Sequence, residues 1–221
     1  VLAAAPAGKL LRAPDTYMDK IAVGPKAKGV IDLDASPKKN ICAVAKKLGK
    51  NVEDMTVIIM DRDRHKELIE EVRKVGARIR LIGDGDVSGA IAPSIDDSGI
   101  DMLLGIGAAP EGVLAAAALK TFGGEIQGRL KFRNDDERER AKKMGFLKDL
   151  DQKLMMDDMV KGDRAMFAAT GVTSGEMLEG VRFTSNGATT QSIVLRALTG
   201  TRRFIETHHD FKKKPGYYEA D

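Results

Sequence analysis

The stretch Gly105-Ile106-Gly107-Ala108-Ala109-Pro110-Glu111-Gly112 is a glycine-rich turn that runs directly into a helix-like segment, Val113 to Phe122. Pro110 suits the first turn of a helix because its missing N–H would have no partner there. Glu111 places a carboxylate beside the positive end of the helix dipole. The stretch therefore predicts a strand that leads into a helix, with one acidic side chain fixed at the junction.

The same order of elements repeats upstream of this junction. Strands are expected at residues 56–60, 78–82 and 102–104, each followed by a helix: one through Leu68–Val72 that stops at Gly76, a short one after Asp86, and the one after Pro110. Earlier in the chain, Ser36 and Pro37 predict the start of a helix that ends at Gly49. This alternation predicts a layered α/β domain.

The flanks of the chain follow other patterns. The apolar residues 1–5 predict a strand already in progress, and the charged segment 134–144 predicts an exposed helix. Residues 173–176, Thr-Ser-Gly-Glu, resemble a capping box and predict a short helix. The C-terminal region predicts strands at 181–184, 191–198 and 202–207, joined by turns at Asn186-Gly187 and Thr199-Gly200.

Composition excludes several classes of protein. The chain has 221 residues, 43% of them hydrophobic, and 36 basic against 33 acidic residues give a net charge of only +3. Basic residues are dispersed apart from Lys212 to Lys214, so nucleic acid is not an expected partner. The single cysteine, Cys42, excludes an internal disulfide and is expected to be a small buried residue in a reducing compartment. No apolar run approaches the roughly 20 residues that span a bilayer, so we expect a soluble, cytoplasmic protein without membrane contact.

The glycine-rich turn does not match the common nucleotide-binding motifs. A dinucleotide fingerprint needs glycine where Pro110 stands, and a P-loop needs lysine where Val113 stands. The remaining interpretation is a carboxylate on a helix N-terminus beside small residues that let a ligand approach. The alternative is an ordinary helix start, because acidic residues favour first turns in general.

Two further loops follow predicted strands and are expected at the same edge of the sheet. Asp84-Gly85-Asp86 could face a ligand, or one of its aspartates could simply cap the next helix. Asp61-Arg62-Asp63-Arg64-His65 could clamp a phosphate through its arginines, or form a solvated charge cluster. His65 is expected to be a surface residue of a first helical turn.

Five motifs together carry a family resemblance. Residues 13–18 (APDTYM), 61–65 (DRDRH), 84–87 (DGDV), 105–112 and 169–173 (ATGVT) occur in the order seen in class II fructose-1,6-bisphosphatases. The resemblance covers essentially the whole chain. It implies the layered α/β/α fold of the inositol-monophosphatase-like, metal-dependent sugar phosphatases, with a mixed sheet flanked by helices. It also implies hydrolysis of the 1-phosphate of fructose 1,6-bisphosphate to fructose 6-phosphate in gluconeogenesis, and some relatives accept sedoheptulose 1,7-bisphosphate.

The resemblance also implies roles for individual residues. Glu111 would be a ligand of Mg²⁺ or Mn²⁺. The sugar-phosphate contacts would be Tyr17, Arg62, Asp63, Arg64, Asp84, Gly85, Asp86 and Ala108. Arg62 and Arg64 would hold the phosphate that does not react, and Asp84 and Asp86 would accept hydrogen bonds from sugar hydroxyls. Two positions depart from the family: Ala108 replaces a common glycine, and Arg62 stands where some relatives have lysine.

The family's other metal carboxylates and its Asp-Pro-x-Glu-Gly-Thr motif lie before the segment that matches Val1. We therefore expect residues 1–221 to be the C-terminal, sugar-phosphate-binding part, roughly two-thirds of a member by the usual size of such domains, and inactive alone. The catalytic residues would lie in the N-terminal part, and the intact enzyme would be a homo-oligomer. A non-catalytic sugar-phosphate-binding module, and a phosphatase for inositol phosphates or nucleotide phosphates, remain alternatives.

Overall fold

The protein is described by a computed structural model that covers residues 1–145, 147 and 149–213. Within these residues the chain forms ten strands and six α-helices. The strands are β1 (Leu2–Ala4), β2 (Tyr17–Val23), β3 (Thr56–Met60), β4 (Arg78–Ile82), β5 (Met102–Ala108), β6 (Glu125–Lys131), β7 (Met166–Thr170), β8 (Arg182–Thr184), β9 (Gly187–Arg196) and β10 (Thr201–Asp210). The helices are α1 (Pro37–Leu48), α2 (Lys66–Val75), α3 (Asp86–Ile91), α4 (Ala109–Phe122), α5 (Asp135–Met144) and α6 (Met156–Met159).

The first sheet is mixed and has the strand order β4-β3-β5-β2-β6. β3 is parallel to β4 and β5, whereas β2 is antiparallel to both β5 and β6. Helices cover both faces of this sheet. Alternate residues of each strand point to opposite sides, so each face has apolar side chains for a layer of helices to cover. The prediction of an α/β fold with a mixed sheet flanked by helices is confirmed.

Each face of this sheet has its own core. Ile21 and Val23 of β2 pack with apolar residues of α1 and α2, such as Ile41 and Ile69. Met18 and Ala22 of the same strand pack on the other side, with α3 and α4. The period-2 alternation of β2 therefore decides which side chains reach which layer of helices.

A second, antiparallel sheet has the order β1-β7-β9-β10, with β8 also paired to β9. Helix α4 lies between the two sheets. Its residues 115–118 are all alanine and at most 1% exposed, and they share a core with Phe167 of β7 and Ile193 of β9. Alanine side chains on every side of the helix allow both sheets to approach it closely.

Most of the predicted helix and strand positions are confirmed. Helix α1 begins where the Ser36 side chain accepts a hydrogen bond from the Lys39 N–H at 3.3 Å, and it ends at Gly49 in the left-handed conformation. Helix α2 ends in the same way at Gly76, and Asn134 caps the start of α5. The predicted terminal strands are β1, β8, β9 and β10.

Other predictions are wrong. Residues 173–176 are irregular rather than helical, and Cys42 is exposed because it lies on the solvent side of α1. The glycine-rich stretch is not a turn, since β5 continues through Gly105 and Gly107 to Ala108 before α4 begins. Three strands, β2, β6 and β7, were not predicted.

No helix of the described part of the chain combines the length and apolar composition that crossing a bilayer requires. Lys214, the last residue of the predicted basic run, lies outside the described residues.

Candidate functional site

The predicted site residues gather at one edge of the first sheet. The parallel strands β3, β4 and β5 all end there, so the loops that follow them are neighbours. Tyr17, the first residue of antiparallel β2, pairs in register with Ala108, the last residue of β5. The edge thus brings together segments that lie far apart in the sequence.

Acidic side chains occupy the α3/α4 side of this edge. The buried ammonium group of Lys20 forms an ion pair with Asp86 and donates a hydrogen bond to the Ala108 carbonyl at 3.2 Å. The side chains of Lys20 and Asp86 are only 2% and 5% exposed. Glu111 stands beside Asp86, and burial, followed by the negative charge of Asp86, raises its pKa. Lys20 opposes that rise, so one buried cation interacts with both carboxylates.

Neither aspartate caps α3. The residue at the cap position is Gly85, in the left-handed conformation, and no side chain bonds the first turn there. Asp84 accepts a hydrogen bond from the Gly85 N–H at 2.8 Å and remains exposed, whereas Asp86 is committed to Lys20. The alternative of simple helix capping therefore does not account for this acidic pair.

Gly107 explains why the stretch before α4 is rich in glycine. A Cβ atom at position 107 would overlap the Asp86 carboxylate and lie 2.9 Å from the Lys20 ammonium nitrogen. The strand can pass the buried ion pair only because this position has no side chain. Glycine here makes room for side chains of the protein itself.

A cavity of about 290 Å³ opens beside the acidic group. Asp84, Asp86 and Glu111 line one side of it, and the segment 169–175 with its hydroxyl groups lines the other. A sugar phosphate has the size and polarity to enter a space of this kind. The ATGVT motif, whose role the sequence did not predict, thus forms a wall of the cavity.

Basic and aromatic side chains occupy the opposite side of the edge. The Arg64 guanidinium lies 4.7 Å from the ring centre of Tyr17, and both of its hydrogen bonds go to the Ile106 carbonyl, at 3.0 and 2.8 Å. Arg133 lies 5.0 Å from the same ring centre. Since neutral carbonyl oxygen is the acceptor, the positive charge of Arg64 stays available to an anion.

The other two residues of the 62–64 loop have partners within the protein. Arg62 donates to the carbonyl oxygens of Asp61 and Gly83, at 2.8 and 2.6 Å. Asp63 is 94% exposed and pairs with Lys66, one turn along the chain. The loop therefore brings Arg64 to Tyr17, while Asp63 faces solvent.

His65 is buried, contrary to the sequence prediction. Its Nδ1 lies 2.7 Å from the Met60 carbonyl oxygen, and its Nε2 accepts a hydrogen bond from the Ile106 N–H at 2.8 Å. These partners require a neutral ring with the proton on Nδ1, and burial lowers the pKa of the imidazole. His65 ties the end of β3 to the end of β5, and so fixes the backbone that positions Arg64.

Sequence reasoning missed Lys20, His65 and Arg133. A signal for Lys20 was available, because Met18, Lys20 and Ala22 alternate along an apolar run. A lysine on the buried face of a strand indicates that its charge is paired with an acidic group. No comparable signal pointed to Arg133, which reaches Tyr17 from the far end of β6.

The donor set suits a hard divalent cation in part. Carboxylate oxygen is what Mg²⁺ and Mn²⁺ prefer, and Glu111 and Asp86 offer it at the cavity. A cation would also favour the charged form of Glu111, whose pKa is raised by burial and then by the negative charge of Asp86. Within the described ranges, no group of three or more acidic, histidine or cysteine side chains is close enough to hold a metal ion.

Known proteins match this chain over nearly its whole length. The sequence model of the family described as bacterial fructose-1,6-bisphosphatase, glpX-encoded, matches residues 1–209. A protein of Synechococcus sp. (strain JA-3-3Ab), named D-fructose 1,6-bisphosphatase class 2/sedoheptulose 1,7-bisphosphatase, is 42% identical over 220 residues, which are 95% of this chain and 63% of that protein. A protein of the same name from Synechocystis sp. is 43% identical over 227 residues, 97% of this chain and 65% of its own length.

The chain thus spans just under two-thirds of the length of these relatives. The extent of the family match and the level of identity confirm the resemblance to class II enzymes. The chain belongs to the family of bacterial, glpX-encoded fructose-1,6-bisphosphatases.

Proposed function

We propose that this chain binds a sugar bisphosphate and contributes to metal-dependent hydrolysis of the 1-phosphate of fructose 1,6-bisphosphate, the reaction that yields fructose 6-phosphate in gluconeogenesis. One observation carries the proposal. A single sheet edge has carboxylates on one side and arginines on the other, separated by the last residues of β5. A substrate with a phosphate at each end matches this division of charge.

The acidic side would receive the phosphate that reacts. Glu111 would hold a divalent cation, which when bound polarises the phosphoryl group and lowers the pKa of a coordinated water. The start of α4 favours negative charge, so the same helix end suits the phosphate. Asp84 and Asp86 would accept hydrogen bonds from sugar hydroxyls, with Asp86 held in place by Lys20.

The basic side would hold the phosphate that does not react. Arg64 offers N–H groups beside the Tyr17 ring, and Arg62 lies on the same loop. Asp63 and Gly85 would contribute through the backbone of their loops, because Asp63 points to solvent and Gly85 has no side chain. Ala108 would contact the sugar with its backbone, next to Tyr17.

The number of carboxylates bears on what the chain can do alone. Two-metal phosphoryl chemistry needs more protein ligands than Glu111 and Asp86 supply, and Asp86 is already paired. We therefore expect the 221-residue chain to be inactive by itself. Activity is expected when the remaining third of the relatives' length is supplied as a fused or co-expressed segment.

The test is a substrate panel on that completed enzyme, with Mg²⁺ and with Mn²⁺. We expect hydrolysis of fructose 1,6-bisphosphate and only weak hydrolysis of inositol monophosphate and of nucleotide phosphates. Activity confined to either of the last two would refute the proposal, and binding without hydrolysis by the completed enzyme would favour a non-catalytic module. Metal-dependent hydrolysis by the 221-residue chain alone, abolished by Glu111→Gln, would refute the need for further ligands.

Sedoheptulose 1,7-bisphosphate is the second candidate substrate, since the names of the Synechococcus and Synechocystis relatives include it. Both sugars carry two terminal phosphates and differ by one carbon, so the ratio of kcat/KM values decides between them. We also propose that the intact enzyme is homo-oligomeric and cytoplasmic. Light scattering of the intact enzyme tests the first property and cell fractionation tests the second.

A further inference from the structure

Two guanidinium groups converge on the ring of Tyr17. Arg64 approaches it from the β3 loop at 4.7 Å and Arg133 from the end of β6 at 5.0 Å. Each cation is attracted to the ring, so one aromatic side chain has two positively charged neighbours. An anion bound beside the ring would be attracted to both of them.

Arg133 is held in place by a buried carboxylate. Its Nε and one terminal nitrogen bind Glu137, whose side chain is only 2% exposed. The same carboxylate accepts hydrogen bonds from the Arg133 N–H at 2.9 Å and from the Thr16 hydroxyl at 2.8 Å. The bonds from Arg133 hold the pKa of Glu137 at about 2, so the anchor stays charged.

This anchor also connects Arg133 to the residue next to Tyr17. Thr16 precedes Tyr17 directly, and its hydroxyl oxygen also lies 3.0 Å from the Lys131 carbonyl oxygen, a second acceptor for the same proton. Thr16, Glu137 and Arg133 therefore form one bonded unit around the aromatic ring. The Arg133 side chain is 48% exposed, so part of its guanidinium group faces solvent. An arginine has five N–H donors, and the bonds to Glu137 leave some of them for a ligand.

A neighbouring arginine shows what a purely structural arrangement looks like. Arg138 stacks over Phe132 at 5.3 Å and pairs with Asp151. The Asp151 side chain is 58% exposed, and Phe132 has no polar edge to offer a ligand. Arg133 differs on each point: its carboxylate is buried, its aromatic partner carries a hydroxyl group, and a second arginine shares the ring.

We propose that Arg133 binds phosphate together with Arg64 and Tyr17. That the ligand is the non-reacting phosphate of a sugar bisphosphate rests on the function proposed above. The two planar forks donate N–H groups to the phosphate oxygens, and the Tyr17 hydroxyl donates a further hydrogen bond. Glu137 is a positioning residue, because it acts through Arg133.

The test is calorimetric binding of fructose 6-phosphate and of inorganic phosphate to the 221-residue chain, with fructose as the phosphate-free control. Arg133→Gln is expected to weaken binding of both phosphate compounds about ten- to a hundredfold, as loss of charge-assisted hydrogen bonds predicts. Arg133→Lys, which keeps the charge that Glu137 needs, is expected to give an intermediate loss. Arg138→Gln is the matched control and is expected to leave both dissociation constants unchanged.

Equal binding by the wild type, Arg133→Lys and Arg133→Gln would overturn the inference. A wild type that binds neither phosphate compound would do the same. Failure of the proposed function looks different: the completed enzyme would not hydrolyse fructose 1,6-bisphosphate, yet phosphate binding would still depend on Arg133. Near-ultraviolet circular dichroism of each variant verifies the fold, and Arg133→Lys decides the matter if Arg133→Gln does not fold.

Discussion

Replacing Lys20 with Met is expected to destabilise the protein by about 3–5 kcal/mol, the usual cost of removing one partner of a buried ion pair. Asp86 is 5% exposed, so its carboxylate cannot regain hydration when the ammonium group is lost. The Ala108 carbonyl loses a donor at the same time, and Glu111 adds a second negative charge nearby. Both effects favour the upper end of the range. A loss of this size is a large fraction of the roughly 5–15 kcal/mol that stabilises a typical protein.

Urea unfolding followed by circular dichroism measures this loss. The double variant Lys20→Met with Asp86→Asn removes both charges and is expected to recover most of the stability, because neither group is left charged without a partner. Lys26→Met is the control. Lys26 and its partner Asp96 are 78% and 82% exposed, so its loss should be within about 1 kcal/mol.

A loss of stability for Lys20→Met no greater than that for Lys26→Met would contradict this role of the buried pair. So would a double variant that loses as much stability as Lys20→Met and Asp86→Asn combined. The double variant also separates stability from function. It should unfold near the urea midpoint of the wild type. Its binding of sugar phosphate should nevertheless be weaker than that of the wild type, because Asp86 is expected to contact the sugar.

Three other perturbations probe the site and its surroundings. In the completed enzyme, Arg64→Ala should raise KM for fructose 1,6-bisphosphate about ten- to a hundredfold and change KM for esters with one phosphate much less; equal changes would mean that Arg64 does not contact the second phosphate. Glu111→Gln should abolish activity. It should not lower the metal-free Tm, since it removes a half-buried charge that Asp86 repels. Full activity of this variant at ordinary metal concentrations would mean that Glu111 is only a helix-start residue. Glu137 has a pKa of about 2, below its ordinary 4.5, so its charge stabilises the fold above pH 4.5 and this contribution is lost as pH falls towards 2. When the free energy of unfolding is measured against pH, Glu137→Gln should therefore lose less stability than the wild type over this window. Identical slopes for the two proteins would exclude Glu137 as the source of this pH dependence.

Local sequence patterns predicted most of the helices and parallel strands, because their signals lie within a few residues. Ser36 and Gly49 mark the ends of α1 through bonds made inside the helix itself. The same locality explains the failure at residues 173–176. A capping box is a favourable start for a helix, but Gly175 and Gly180 disfavour its continuation, and residues 173–175 line the cavity instead.

The interior of the site could not be predicted, because its contacts join distant parts of the chain. Lys20 and Asp86 are 66 positions apart, and Thr16 and Glu137 are 121 apart. The family resemblance supplied the residues that we propose to contact ligand, but not the residues that hold them in place. His65 was interpreted from its place in a charged loop, and only the pairing of β3 with β5 explains its burial.

The contact between Asp86 and Gly107 has a consequence for engineering this chain. Because position 107 has no space while a carboxylate stands at position 86, the two positions are not independent in a mutant library. Alanine at 107 requires a shorter residue at 86 and also a neutral side chain at 20, because Lys20 would otherwise be buried without a partner beside the new Cβ atom. Screens that vary one position at a time will score these positions as intolerant, whereas joint randomisation of all three gives access to combinations that single substitutions cannot reach.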